Sequence, residues 1–236
     1  MSEEKQNVRR LSGRDREILE HVVRYRLTTK ETLHRLFFNE NEPNAAIKVA
    51  NRLCGEGWLR KFPLLYPRQY LVAGARTVQS FGVPTARSLP LGPQALPTEY
   101  AILQYATSAE NVERLKRREV SARFDWYQDE WTAAAHCVRA TDRTHVLELV
   151  RVDLGGPADH VARKCVADFE TRSQSPRFQH AVEQSLFRLV IATATADKAA
   201  ATQLSLHGHL WPDGISFHLA VIPELLPLLP GGCDAT

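Results

Sequence analysis

Asn44, Lys48, Asn51 and Arg52 hold the most specific chemical signal in this sequence. At helical spacing they share one side of a short segment whose other side carries Ala46, Ala50, Leu53 and Cys54. An Asn amide pairs bidentately with adenine, and a Lys or Arg cation contacts guanine or phosphate. Such groups reach a duplex groove together only from one exposed helix face. Arg60, Lys61 and Arg68, in the following stretch "WLRKFPLLYPRQYLVA", are placed to touch backbone phosphates, contacts that position a protein without reading sequence. The alternative is a solvated polar face on a helical bundle.

Other chemistries find less support. Cys54, Cys137, Cys165 and Cys233 are scattered with no C-x-x-C pair, a pattern of reduced thiols rather than a disulfide framework or zinc ribbon. His136 and Cys137 are adjacent, so on a strand they point to opposite faces and do not share a metal. His145, Glu148 and His160 lie nearby in sequence, and His207 and His209 have strand-like spacing but no third ligand. Gly155-Gly156 forms neither a P-loop nor a dinucleotide fingerprint and is expected to be a turn. No nucleophile, base and orienter form a series. The expectation is a non-enzymatic chain with no metal and no cofactor.

The elements that must position the polar face follow from patterning. "LSGRDREILEHVVRYRLTT" predicts a helix capped by Ser12, with Asp15 and Glu17 in its early turns and an inner stripe of Ile18, Leu19, Val22 and Val23. "TTKETLHRLFF" predicts a second, capped by Thr28 with Glu31 completing a capping box and Leu33, Leu36 and Phe37 inward. The third spans about residues 43–55 and ends at Gly55 and Gly57. A hairpin with Pro67 in its turn follows, then a short helix in "GARTVQSFGVP". Three helices and a hairpin is the order of a winged helix-turn-helix, expected over residues 1–83.

Residues 84–98, "PTARSLPLGPQALPT", hold four prolines and are the expected linker. "EYAILQYATSAENVERLKRREV" predicts two helices broken near Thr107–Ser108, with Ser108 capping the second. Beyond it the pattern predicts a hairpin ("WTAAAHCVRAT", "THVLELVRVD"), then a helix, a buried strand, a helix and a last strand. A mixed-sheet α/β domain is therefore expected over 99–222, with a Pro/Gly-rich tail at 223–236.

At 236 residues, 44% hydrophobic and 24% charged, the chain has the composition of an ordinary globular protein of two small domains. No apolar run approaches a membrane span and the N-terminus lacks the apolar core of a signal peptide, so a cytoplasmic protein without membrane contact is expected. The net charge of +3 is unevenly spread. Residues 1–76 carry 15 Lys+Arg against 9 Asp+Glu, a net +6, whereas residues 77–236 carry 15 against 18, a net −3. A basic N-terminal third favours a polyanionic partner. Arg9, Arg10, Arg14 and Arg16 could follow phosphates; the second basic cluster, Arg114, Lys116, Arg117, Arg118 and Arg123, is better read as pairing within its own domain.

Laid out this way, the chain resembles the plasmid replication-relaxation family of mobile elements. The resemblance runs through "LSGRDREILEHVVRYRLTTKETLHRLFF", "AIKVANRLCGEGWLRKF", "YLVAGARTVQSFGV", "VLELVRVDLGGPADHVARKCVADF" and "LFRLVIATAT". It implies a winged helix that binds double-stranded DNA, joined to a domain resembling the restriction-endonuclease core, acting as a replication or transfer accessory factor or a transcription regulator. Relaxase or replication proteins are the implied partners, and a homodimer is the default for a winged domain on a palindrome.

An active endonuclease core of that type holds a divalent metal with an Asp on one strand and an acidic-x-Lys triad on the next. Here Glu148 is followed by Leu149 and Val150, so a valine stands where the lysine belongs. The alternative function, a metal-dependent nuclease with a substituted site, would rest on Asp142, Glu148, Asp153 and Lys164.

Overall fold

The computed structural model describes residues 11–39, 44–131 and 135–230. The chain divides into two compact units, residues 1–63 with 69–89, and residues 64–68 with 90–236.

In the first unit α1 (Gly13–Tyr25) starts at the expected cap. The Ser12 hydroxyl accepts from the Asp15 amide at 3.1 Å, and the Asp15 carboxylate accepts from the Ser12 amide at 3.0 Å. Ile18, Leu19 and Val22 are buried as the stripe requires; Val23 is only half-buried, and Tyr25 takes its place inside. A two-residue strand β1 (Thr28–Thr29) follows, so the second cap falls one residue later than expected. Thr29, not Thr28, accepts from the Thr32 amide at 3.2 Å and opens α2 (Lys30–Phe37), because the Thr28 hydroxyl is committed to His21 Nε2 at 3.1 Å. Leu36, expected inside, is 40% exposed, and Phe38, the residue that ends α2, is buried in the core instead.

α3 (Asn44–Gly55) buries Ala46, Ala50 and Leu53 against α1 and α2. The chain then turns through Gly57, at φ +77°, into the hairpin β2 (Leu59–Leu65) and β3 (Arg68–Ala73), with Pro67 in its turn as expected. β3 lies between β2 and β1. The start of the hairpin is pinned: the Trp58 carbonyl accepts from the Gly74 amide at 2.7 Å and from the Thr77 hydroxyl at 2.5 Å. A Cβ at Gly74 would stand 2.3 Å from the Gly57 carbonyl oxygen, so only glycine lets these two backbone stretches meet. α4 (Ala75–Phe81) closes the unit against the same core.

The proline-rich stretch is shorter as a connection than expected. Thr85–Ser88 forms a 3-10 turn, and α5 (Ala95–Ser108) already begins inside it, with Pro97 in the first turn, where a missing amide costs nothing. α5 is apolar nearly all round and buried to match. The expected second helix is instead a strand, β4 (Val112–Leu115), and a short helix, α6 (Arg117–Arg123). Val112 and Leu115 fit a helical period as well as an edge strand, and pairing with the next strand decides between them.

β5 (Ala135–Ala140) and β6 (His145–Val152) form the expected antiparallel hairpin; residues 132–134 of that reading lie outside the described residues. α7 (Ala158–Ser173) and α8 (Pro176–Glu183) lead to β7 (Phe187–Thr193), then α9 (Ala196–His207) and β8 (Ser216–Val221). The sheet order is β4-β5-β6-β7-β8, antiparallel up to β6 and parallel from β6 to β8. This is the mixed sheet expected, and its parallel strand β7 is apolar from Leu189 to Ala192 and buried there. One face packs Leu147, Leu149, Leu189 and Ile191 around Phe178, whose ring meets those of Phe187 at 4.9 Å and Trp131 at 5.4 Å. The tail forms a 3-10 helix at Pro223–Leu228 that buries Leu225; residues 231–236 lie outside the described set. No helix among the described residues is long and apolar enough to cross a membrane.

Candidate nucleic-acid interface

The outward side of α3 presents Asn44, Ile47, Lys48 and Asn51, all exposed. Ala46, Ala50 and Leu53 pull the opposite side into the core, so the burial of three small or branched residues orients the polar ones. Ile47 adds an apolar contact to this face that the charge pattern did not single out.

Arg52 does not belong to that exposed set. It is half-buried, and its Nη2 lies 2.5 Å from Asp15 Oδ1 while Nη1 lies 3.3 Å from Glu56 Oε2. The correction has a simple cause: Arg52 sits at the boundary of the buried face, where the capping carboxylate of α1 meets it. Burial alone would raise the Asp15 carboxyl, but the Ser12 amide and hydroxyl and the Arg52 guanidinium outweigh it and hold the group below its ordinary value. Arg52 therefore ties α3 to the start of α1.

Along the hairpin, Arg60 and Lys61 are both exposed, but as consecutive strand residues they leave opposite faces. Arg60 donates to the Ser88 carbonyl at 2.8 Å and lies 5.2 Å over the Phe62 ring. Lys61 and Lys30 are close enough to Cys54 for their charges to oppose the rise that burial causes in its thiol. Lys61 thus lies on the α3 side, together with Lys30, a cation at the start of α2 that the sequence pattern did not mark. Arg68 is exposed at the start of β3 but falls in the second unit, where its side chain hydrogen-bonds Tyr100, so it does not join the α3 face. Arg14 stacks 5.0 Å over Phe38, and Arg9 and Arg10 lie outside the described residues.

In the second unit, the four residues of the nuclease reading do not assemble. Asp142 is in the β5–β6 turn and Asp153 follows the far end of β6, a strand of eight residues, so roughly 26 Å separates the two ends, ten times a metal–oxygen bond. Glu148, fully buried in mid-strand, is spent on its own face of the sheet: Arg139 Nε lies 2.7 Å from Oε1, the Tyr105 hydroxyl donates to Oε2 at 2.7 Å, and Arg188 stands 3.6 Å away. Burial first, then this carboxylate, raises the Tyr105 phenol well above its ordinary value.

Asp153 and Lys164 do line one cleft of about 530 Å³, with Glu99 and Arg114 as neighbours. Val150, at the position where the resemblance calls for a lysine, lines it too, as does Val152. Glu99 pairs with Arg114 at 2.5 Å, and Asp153 Oδ1 accepts from the Gly155 amide at 2.9 Å, while its buried Oδ2 stands 3.5 Å from Lys198 Nζ with no hydrogen-bond partner among the described residues. Glu99 was not singled out in the sequence, because nothing near it in sequence marks it. The second basic cluster pairs within its unit, Arg123 with Glu113 at 3.4 Å and Arg117 with the Asp129 carbonyl.

Among the described residues, no group of three or more His, Cys, Asp or Glu could hold a metal ion. His136 is buried, which lowers its pKa to about 3, helped by the charges of Arg172 and Arg151; His145, His160 and His207 are exposed on separate elements. Cys137 and Cys165 are pushed up to about 12 by burial. No family model, curated protein or solved structure matches the chain.

Proposed function

We propose that the first unit is a winged helix-turn-helix that binds double-stranded DNA, with α3 in the major groove and Asn44, Lys48 and Asn51 at base edges or phosphates. The observation that carries the reading is the exposed α3 face. Three polar or basic side chains and one isoleucine project together from a helix whose other side is locked in a core, beside a hairpin that bears Lys61. The three-helix order, β1 pairing with the hairpin, and the net +6 of residues 1–76 support it. Lys61 and Lys30 would hold the backbone, and Arg60 would do so on release from Ser88.

The role follows the resemblance: an accessory factor in replication or transfer of a plasmid or integrative element, or a transcription regulator, acting in the cytoplasm as a homodimer, with relaxase or replication proteins as further partners. The mixed sheet of the second unit is compatible at the level of architecture with an endonuclease-like domain. Cleavage is not proposed, since Asp142 and Glu148 do not join Asp153 and Lys164 in the cleft lining and Val150 stands where the resemblance calls for a lysine.

The test is fluorescence anisotropy with a pool of duplexes from the protein's own genomic neighbourhood, at several salt concentrations. Affinity should fall steeply with salt, and Lys48→Ala should flatten the log–log slope by about one. A plasmid incubated with Mg²⁺ should remain supercoiled. Binding that is equally tight in the Lys48→Ala, Asn51→Ala double variant would refute α3 as the reading element.

A further inference from the structure

The cleft shared by Asp153 and Lys164 lies at the carboxyl end of β6, the strand at which the sheet changes from antiparallel to parallel pairing, and α5 and α7 form its walls. Open α/β sheets hold their ligands at this end of their strands. At about 530 Å³ the cleft falls within the ~300–1,000 Å³ of small-molecule sites. Its make-up is also theirs: aliphatic walls from Ile102, Val150, Leu154 and Val161, with a few polar groups between them.

Asp153 is the most buried charged residue of that lining, 2% exposed. Its amide donates to the Ala192 carbonyl of β7 at 2.9 Å and its Oδ1 accepts from the Gly155 amide, so the carboxylate is held in place. Oδ2 is left without a hydrogen bond, because Lys198 Nζ, 3.5 Å away, donates to the Gly156 carbonyl instead. A buried carboxylate oxygen in this condition needs a donor, and the adjoining cleft is where one can enter. The rim supplies the opposite charge. His160 and Lys164 stand one turn apart on α7, both exposed and both in the lining. The imidazole lies over Gly156, where an added Cβ would be 3.8 Å from His160 Cδ2. Arg114 and Arg151 arrive paired with Glu99 and Asp168, whereas Lys164 has no partner among the described residues.

We propose that this cleft binds a nucleoside monophosphate. A ribose hydroxyl donates to Asp153 Oδ2, the phosphate sits between Lys164 and His160, and the base lies against Ile102 and Val150 with the Gln94 amide at its edge. Each part answers a different feature of the lining. A lone phosphate or carboxylate would leave the aliphatic walls facing water and would gain nothing from Asp153, whose charge repels it. A nucleic-acid strand needs a row of cations to follow its phosphates, and this rim offers one unpaired lysine. Ribose hydroxyls, by contrast, are the donors that an acidic residue beside a strand end takes in dinucleotide-binding sheets. The cleft lies wholly in the second unit, so the inference stands apart from the DNA reading of the first.

Isothermal titration of the full chain with AMP, GMP, CMP and UMP in EDTA tests it, with inorganic phosphate and the free nucleosides as separate titrants. At least one monophosphate is expected to bind with a Kd of about 10–500 µM, and its two parts about tenfold more weakly or worse. Lys164→Ala, at an exposed side chain, should weaken binding about tenfold with melting unchanged. Asp153→Asn should weaken the monophosphate while inorganic phosphate binds no worse, a split that a merely structural role for Asp153 would not produce. No binding of any monophosphate at about 5 mM, phosphate alone as tight as the nucleotide, or a Kd that Lys164→Ala leaves unchanged overturns the proposal. Nucleotide binding lost in Lys48→Ala instead would place the ligand on α3 and overturn it as well. Duplex anisotropy on the same samples keeps the two readings apart: a chain that binds duplex but no nucleotide removes only the cleft, and one that binds nucleotide but no duplex removes only the DNA reading.

Discussion

Arg52 offers the sharpest division between a residue that reads DNA and one that holds the reading helix in place. Removing it in Arg52→Ala leaves the Asp15 carboxylate, whose side chain is 6% exposed, without its guanidinium partner. A hydrogen bond to a charged group contributes about 1.5–3 kcal/mol. Two facts argue for the low end: Arg52 keeps 31% exposure, so water already screens the pair, and Asp15 retains the Ser12 amide at 3.0 Å. A loss of about 1.5 kcal/mol in a unit of this size lowers Tm by roughly 6–12 °C.

The pH dependence carries the sign of the mechanism. Asp15 titrates below its ordinary 3.8 when folded, so the ion pair's contribution is fully present above that value and is lost as pH falls through the lower folded one. The wild-type and Arg52→Ala proteins should therefore differ in Tm at pH 7 and at pH 5, and converge well below pH 3.8. The assay pairs thermal melts by circular dichroism with duplex anisotropy at 10 °C, where both proteins are folded. Arg52→Ala should melt early yet bind; Lys48→Ala should melt normally and bind poorly. An Arg52→Ala protein with an unchanged Tm and lost DNA binding would refute the assignment.

Two further outcomes follow from buried groups in the second unit and the first. Glu148→Ala strands Arg139 beneath α5 and removes the acceptor of the Tyr105 hydroxyl, so the second unit should lose about 3 kcal/mol, seen as a lower urea midpoint; an unchanged midpoint would mean that the network contributes nothing net. Lowering pH from 7.5 to 5 should destabilise both units by about 2 kcal/mol each, because the unfolded histidines take up a proton near 6.5 that His21, held to about 4, and His136, held to about 3, refuse while buried. This stability is complete above 6.5 and declines below it; urea titrations that are flat between those pH values would show that neither ring is buried as described.

Much of the local grammar was legible in the residues themselves. Ser12 with Asp15 three positions on specifies a capping box whatever the rest of the chain does, because both bonds close within one turn. Pro67 in its turn, Gly57 before the hairpin and the apolar stretch Leu189–Ala192 of β7 likewise state their conformations through short-range sterics and burial. Ala46, Ala50 and Leu53 set the inner side of α3, and that alone turned Asn44, Lys48 and Asn51 outward.

What needed the tertiary structure was every choice between two locally adequate answers. Val112 and Leu115 suit a helix or a strand, and only the presence of β5 alongside makes them a strand. Thr28 and Thr29 are equivalent caps until His21 engages the first. Arg52 stands among the polar residues of α3 in one dimension, and only folding brings Asp15, thirty-seven positions earlier, against it. Glu148, read as a candidate metal ligand, becomes an ion-pair centre for the same reason: Arg139, Tyr105 and Arg188 are distant in sequence and converge on it only when the sheet and α5 close. A charge announces its chemistry in the sequence, but its partner, and so whether it remains available, is decided by long-range packing.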